Sequence, residues 1–293
     1  MQIPDEIRKC VVFVGYVSKD GPRLAGTAFI VTVKEDIFAG KALFFGYVVT
    51  AKHTIVAISN KSADGLVYLR INRRDGSFAS LPTKIDDWIS HPDDTSVDVA
   101  VLPWMPDEKV FDFLTWPFDQ FVTPARVDEE RVSAGDEVFM AGLFASHYGR
   151  QRNVPVIRAG NISCMPEEKV ETRVFGPIDA YIIEARSIGG LSGSPVFLFL
   201  DDNRVIQSGG GLQRAIGRGT RIYLLGLVHG HWDVSDRVQD ELAEDDIAQR
   251  EGRINMGMAI VVPAHKIAET INQQRLVDGR LGTLERHRKE QST

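Results

Sequence analysis

Gly189-Gly190-Leu191-Ser192-Gly193-Ser194-Pro195-Val196-Phe197 is the stretch whose reading organises the rest of the chain. A serine stands among glycines, and Pro195 opens an apolar run over 195–200. Glycine lets the backbone follow a tight path that is strained for other residues. Such a path around Ser192 can aim the N–H groups of Gly190 and Ser192 at one point, as an oxyanion hole requires. Taken by itself, the segment is also compatible with a plain Gly/Ser turn before a strand.

A nucleophilic serine needs a base, and the base needs a group that orients it. Upstream, Gly46-Tyr47-Val48-Val49-Thr50-Ala51-Lys52-His53 carries an apolar strand straight into a histidine. A histidine held there by the sheet but facing a cleft suits a general base. Further on, Asp98-Val99-Ala100-Val101-Leu102 opens an apolar strand with a carboxylate. A carboxylate buried at that point is costly unless it is hydrogen-bonded, and a histidine N–H would satisfy it. Alone, His53 is an ordinary surface or core histidine, and Asp98 an acid capping a turn after His91-Pro92-Asp93-Asp94.

Outward from these segments the chain is rich in short apolar runs. They lie at 11–16, 27–33, 43–50, 67–71, 97–102, 137–141, 180–183, 195–200, 222–228 and 256–262, separated by Gly, Asp, Asn and Pro. Many short strands with turn signals predict an all-β sandwich or barrel. The clearest amphipathic helix pattern is 264–274, ahead of a charged tail. Residues 105–134 have little alternation and three prolines, as a linker between two β halves would. Residues 208–221 mix Gly with Arg and predict a solvated hairpin loop. Residues 234–253 are an acidic insertion, expected at the rim of the site.

The composition is that of a soluble globular protein, 43% apolar and 25% charged over 293 residues. A net charge of −6 gives no basic face for nucleic acid, so no nucleic-acid partner is expected. Cys10 and Cys164 are too few for a disulfide-stapled secreted fold and are expected as free thiols. The start, Met-Gln-Ile-Pro-Asp-Glu, lacks a signal-peptide pattern, and no run approaches a membrane span. The expectation is a cytoplasmic protein with no membrane partner.

The order His, Asp, Ser, with Thr-Ala-x-His at 50–53, Asp-x-Ala-x-Leu at 98–102 and Gly-x-Ser-Gly-x-Pro at 190–195, resembles the trypsin-like serine peptidases. It is not the Gly-x-Ser-x-Gly elbow of α/β-hydrolases, because Ser194 takes the fifth place. Gly26-Thr27-Ala28-Phe29-Ile30-Val31 resembles the strand behind that family's catalytic histidine. Gly135-Asp136-Glu137-Val138 and Ala159-Gly160-Asn161-Ile162 resemble second-barrel strands of the bacterial HtrA-like branch. The run from Glu184 to Phe197 is similar to the serine loop of glutamyl endopeptidases.

The resemblance implies two packed antiparallel β-barrels with a C-terminal helix. Barrel 1 would span about 8–104, the linker 105–134, barrel 2 about 135–263, the helix 264–275 and the charged tail 276–293. It implies a serine endopeptidase with His53, Asp98 and Ser192 as catalytic triad, and the N–H groups of Gly190 and Ser192 as oxyanion hole. No cofactor or metal is required. The expected partner is a polypeptide substrate, with a protein target or activator as a further one. The alternative is a non-catalytic or partner-activated regulatory module on the same fold. Leu191 stands where trypsin has the aspartate that pairs with a newly cut amine, so activation of that kind is not expected.

Val228-His229-Gly230-His231 falls where the family builds the wall of its specificity pocket, so His229, Gly230 and His231 are candidate lining residues. Val228 aligns more naturally with the pocket histidine of the glutamyl endopeptidases, so a surface strand stays open as a reading. Zinc at His-x-His is a third, without a further ligand pattern. Arg186, six residues before Ser192, would favour an acidic side chain in that pocket or point to solvent.

Overall fold

Side chains alternate between the two faces of a strand, and in the central strands of both halves the two faces are apolar. The computed structural model describes residues 2–38, 41–172, 175–185, 190–201, 204–208, 211–214, 219–233 and 255–291. The first half holds β1 (Val11–Ser18), β2 (Gly21–Phe38), β3 (Lys41–Thr50), helix α1 (Lys52–Ser59), β4 (Leu66–Asn72), β5 (Phe78–Lys84), β6 (Ile89–Ser90) and β7 (Ala100–Pro103). These strands run in the order β5-β4-β1-β2-β3-β7-β6. β8 (Trp116–Pro117) pairs with β2, and α2 (Pro124–Glu130) completes the crossing.

The second half holds β9 (Glu137–Gly142), β10 (Val156–Cys164), β11 (Val170–Thr172), β12 (Gly176–Ile178), β13 (Tyr181–Glu184), β14 (Pro195–Leu200), β15 (Val205–Ser208), β16 (Gly211–Arg214), β17 (Arg221–Asp233) and β18 (Asn255–Pro263). β10-β13-β18-β17-β14-β9 close into a barrel, with β11–β12 and β15–β16 as separate hairpins. α3 (Ala264–Ile271) and α4 (Gln274–Gln291) follow.

Three core clusters explain the doubly apolar strands. Val12, Val14, Ile30, Val48, Leu69 and Ile71 fill the first sheet. Val138, Met140, Ile183, Val196, Leu198 and Val261 fill the barrel. The opposite faces, including Phe13, Phe29, Val49, Phe139, Phe197 and Leu224, make a third cluster joining the two halves. Phe197 stacks on Phe139 at 5.0 Å between ring centroids and meets Trp116 at 4.7 Å. β1, β2, β3, β9, β14, β17 and β18 therefore serve their own sheet with one face and the partner sheet with the other.

The segment read as a charged tail differs from expectation. Residues 274–291 are helical, because Leu276, Arg280 and Leu284, four apart, are buried on one face. Arg280 donates to Glu35 Oε1 at 3.0 Å, to Tyr47 Oη at 2.9 Å and to the Ile271 carbonyl at 3.1 Å. No helix of the described residues is long and apolar enough to cross a membrane. Both cysteines are free thiols, Cys10 buried and Cys164 exposed.

Candidate active site

His53 sits in the first turn of α1, directly after β3. The early N–H groups of a helix have no partner within it. Asp98 supplies one from a distance, its Oδ1 accepting the His53 backbone N–H at 2.8 Å. Its Oδ2 faces the His53 Nδ1 at 2.7 Å. Asp98 is fully buried, whereas the His53 side chain keeps 26% exposure. One carboxylate thus fixes both the main chain and the ring of His53, and among the described residues no hydrogen bond engages the other ring nitrogen.

A second imidazole reaches the same acid. His229 Nδ1 lies 2.5 Å from Asp98 Oδ2, and its ring meets that of His53 edge-on at 5.3 Å. Burial alone would push the Asp98 carboxyl up, but hydrogen bonds from His229 and His53 hold it below its ordinary range. His229 is 9% exposed and turned inward, so its ring serves Asp98 rather than an open pocket wall. Phe175 covers it edge-on at 5.8 Å.

His53, Asp98 and His229 also form a cluster of metal-ligating type, with ligand atoms within 4.8 Å of one another. Tetrahedral zinc with bonds of about 2.0–2.1 Å separates its ligands by about 3.3 Å. The contacts of 2.5 and 2.7 Å are shorter and suit shared protons.

Ser192 is set beside this pair by a lattice centred on Thr27. The Thr27 N–H donates to the Ser192 carbonyl at 3.0 Å. Its hydroxyl donates to the Gly190 carbonyl and accepts the Leu143 N–H, both at 2.9 Å. Thr50 donates to the Thr27 carbonyl at 2.6 Å. The Gly193 N–H donates to the Val228 carbonyl at 2.8 Å, and the Val228 N–H to the Ser194 carbonyl at 2.9 Å. Gly193 has φ 80°, and a Cβ there would stand 2.2 Å from the Thr27 carbonyl. Only glycine fits. Gly190 also has positive φ, 101°. Among the described residues, no acceptor takes the N–H of Gly190 or Ser192. The Ser192 hydroxyl donates to the His229 carbonyl at 3.3 Å, and no hydrogen bond among the described residues joins it to the His53 ring.

Arg186 and the acidic insertion lie outside the described residues, and His231 is described through its backbone alone, opposite Ala259 in β18. Gly230 is half-buried in β17, opposite Ile260. The organising roles of Thr27 and Thr50 and the contact of His229 with Asp98 were not legible in the sequence. The partners are 131 residues apart, and no spacing signals them.

No family model matches the chain, and no curated protein matches it. Solved structures do. The MamO protease domain from Magnetospirillum magneticum superposes with TM-score 0.50 at 15% identity, covering 92% of this chain and 99% of that one. The Rv3671c protease from M. tuberculosis, in its active form, gives 0.46 at 16%, covering 90% and 80%. The chain therefore has the chymotrypsin-like fold of the trypsin-like and HtrA-type serine proteases.

Proposed function

We propose that the chain is a serine endopeptidase in which Ser192 attacks the scissile carbonyl of a polypeptide. His53 takes the hydroxyl proton and later returns it to the leaving amine. Asp98 fixes the His53 tautomer and stabilises the imidazolium. The N–H groups of Gly190 and Ser192 receive the oxyanion. The observation that carries this reading is the two-point hold of buried Asp98 on His53, at 2.7 and 2.8 Å, beside the Ser192 loop. The chemistry calls for no cofactor.

A fluorophosphonate probe tests it. The reading expects labelling of the parent protein and none of Ser192→Ala or His53→Ala. Labelling that survives Ser192→Ala means another nucleophile and ends the assignment. A second reading, a partner-activated module, is favoured by the Ser192 hydroxyl donating to the His229 carbonyl. It expects labelling only after a polypeptide or partner is added, as the hydroxyl turns toward His53.

A further inference from the structure

Beside the proposed nucleophile lies a cleft of about 610 Å³, in the size range of ligand sites. One wall is the β1–β2 hairpin with Tyr16 and Arg23, the floor is Arg70 and Phe78 of β4 and β5, and the other wall is the 145–150 segment. Arg70 is 6% exposed. Its guanidinium stacks 3.8 Å from the Phe78 ring and 5.3 Å from that of Tyr148. It donates to Asn153 Oδ1 at 2.8 Å and to the Gly149 carbonyl at 2.7 Å. These neutral acceptors fix its place without neutralising it, and burial presses against its charged form.

Arg23 and Arg150 add two exposed guanidinium groups to the same lining. Among the described residues, no carboxylate lines the cleft, and none forms an ion pair with Arg23, Arg70 or Arg150. Three arginines and aromatic faces without an acid make a site for carboxylate on an extended chain.

The cleft adjoins the site through both walls. Two residues beyond Leu24, a Cβ on Gly26 would lie 3.1 Å from the Ser192 carbonyl. On the other wall, Leu143 packs on Gly190, and the 145–150 segment follows at once. Two extended residues span about 7 Å, so a chain bound at Ser192 enters the cleft within two or three residues. β17 holds the Ser192 loop through Val228, which accepts the Gly193 N–H and donates to the Ser194 carbonyl.

We propose that this cleft binds an aspartate or glutamate of the substrate two or three residues from the scissile bond. This rests on the peptidase reading. The test uses Ser192→Ala protein and two fluorescein-labelled peptides, one with a glutamate pair and one with glutamines instead, compared by anisotropy. The glutamate peptide is expected to bind about tenfold tighter at low salt, with the advantage shrinking at high salt. Arg23→Gln/Arg150→Gln on that background, at unchanged melting temperature, should bring the two peptides within about twofold. The charge-reversed Arg23→Glu/Arg150→Glu pair should invert the preference. Equal binding of the two peptides to the Ser192→Ala protein, or a glutamate preference that survives both double variants, overturns the proposal. Binding needs no turnover. A protein that labels with fluorophosphonate but shows no preference loses this inference alone, and one that prefers glutamate without labelling loses the peptidase reading alone.

Discussion

Replacing His229 by leucine isolates the effect of the second imidazole on Asp98. The substitution keeps a similar apolar volume under Phe175 and leaves the His229 backbone carbonyl, which accepts from Ser192, in place. It removes one of three donors on a fully buried carboxylate, the other two being the main chain and ring of His53. A hydrogen bond to a charged group contributes about 1.5–3 kcal/mol, and leaving that charge short of a donor in the interior adds to the loss. The expected destabilisation at neutral pH is about 2–4 kcal/mol, or a Tm lower by roughly 3–7 °C.

The pH dependence has a definite sign. The Asp98 carboxyl is held below its ordinary value of 3.8, so the stabilisation is present above that value and is lost as pH falls through the folded one. The gap between parent and His229→Leu should therefore narrow in acid. His229→Asn keeps an N–H donor and should recover part of the loss. Urea titrations of all three proteins across pH provide the measurement. A leucine variant within about 0.5 kcal/mol of the parent at neutral pH, the range of neutral surface changes, would refute the argument that Asp98 depends on His229.

Three further outcomes follow from the packing. Gly193→Ala should abolish fluorophosphonate labelling and cost about 2–4 kcal/mol in denaturant titration, since its Cβ would overlap the Thr27 carbonyl at positive φ. Arg280→Ala should loosen α4, costing about 2–4 kcal/mol, because it leaves a buried network without its cation; hydrogen exchange along 274–291 reads it directly. A thiol reagent should modify Cys164 alone in the folded protein and both cysteines in denaturant, because burial pushes the Cys10 thiol up to about 12.

The sequence by itself determined the all-β character and most of the long strands, because each of those strands is a run of apolar residues bounded by turn formers. β5 was not legible, since its outward positions are exposed and Pro82 interrupts it. β10 did not stand out as an apolar run, with Ile162 its one buried residue, and its 159–162 stretch was read as a barrel strand only through the family resemblance. The three motifs around His53, Asp98 and Ser192 named a candidate site because local chemistry marks them, a glycine-bounded serine and polar residues at the ends of apolar strands. Tertiary structure alone decided which groups share a partner. His229 and His53 converge on one oxygen of Asp98, Thr27 ties β2 to the Ser192 loop, and Arg23, Arg70 and Arg150 gather around one cleft. Hydrogen bonds across more than a hundred residues leave no periodicity in the chain, since they depend on where two sheets meet, and that meeting is set by the summed packing of both apolar faces.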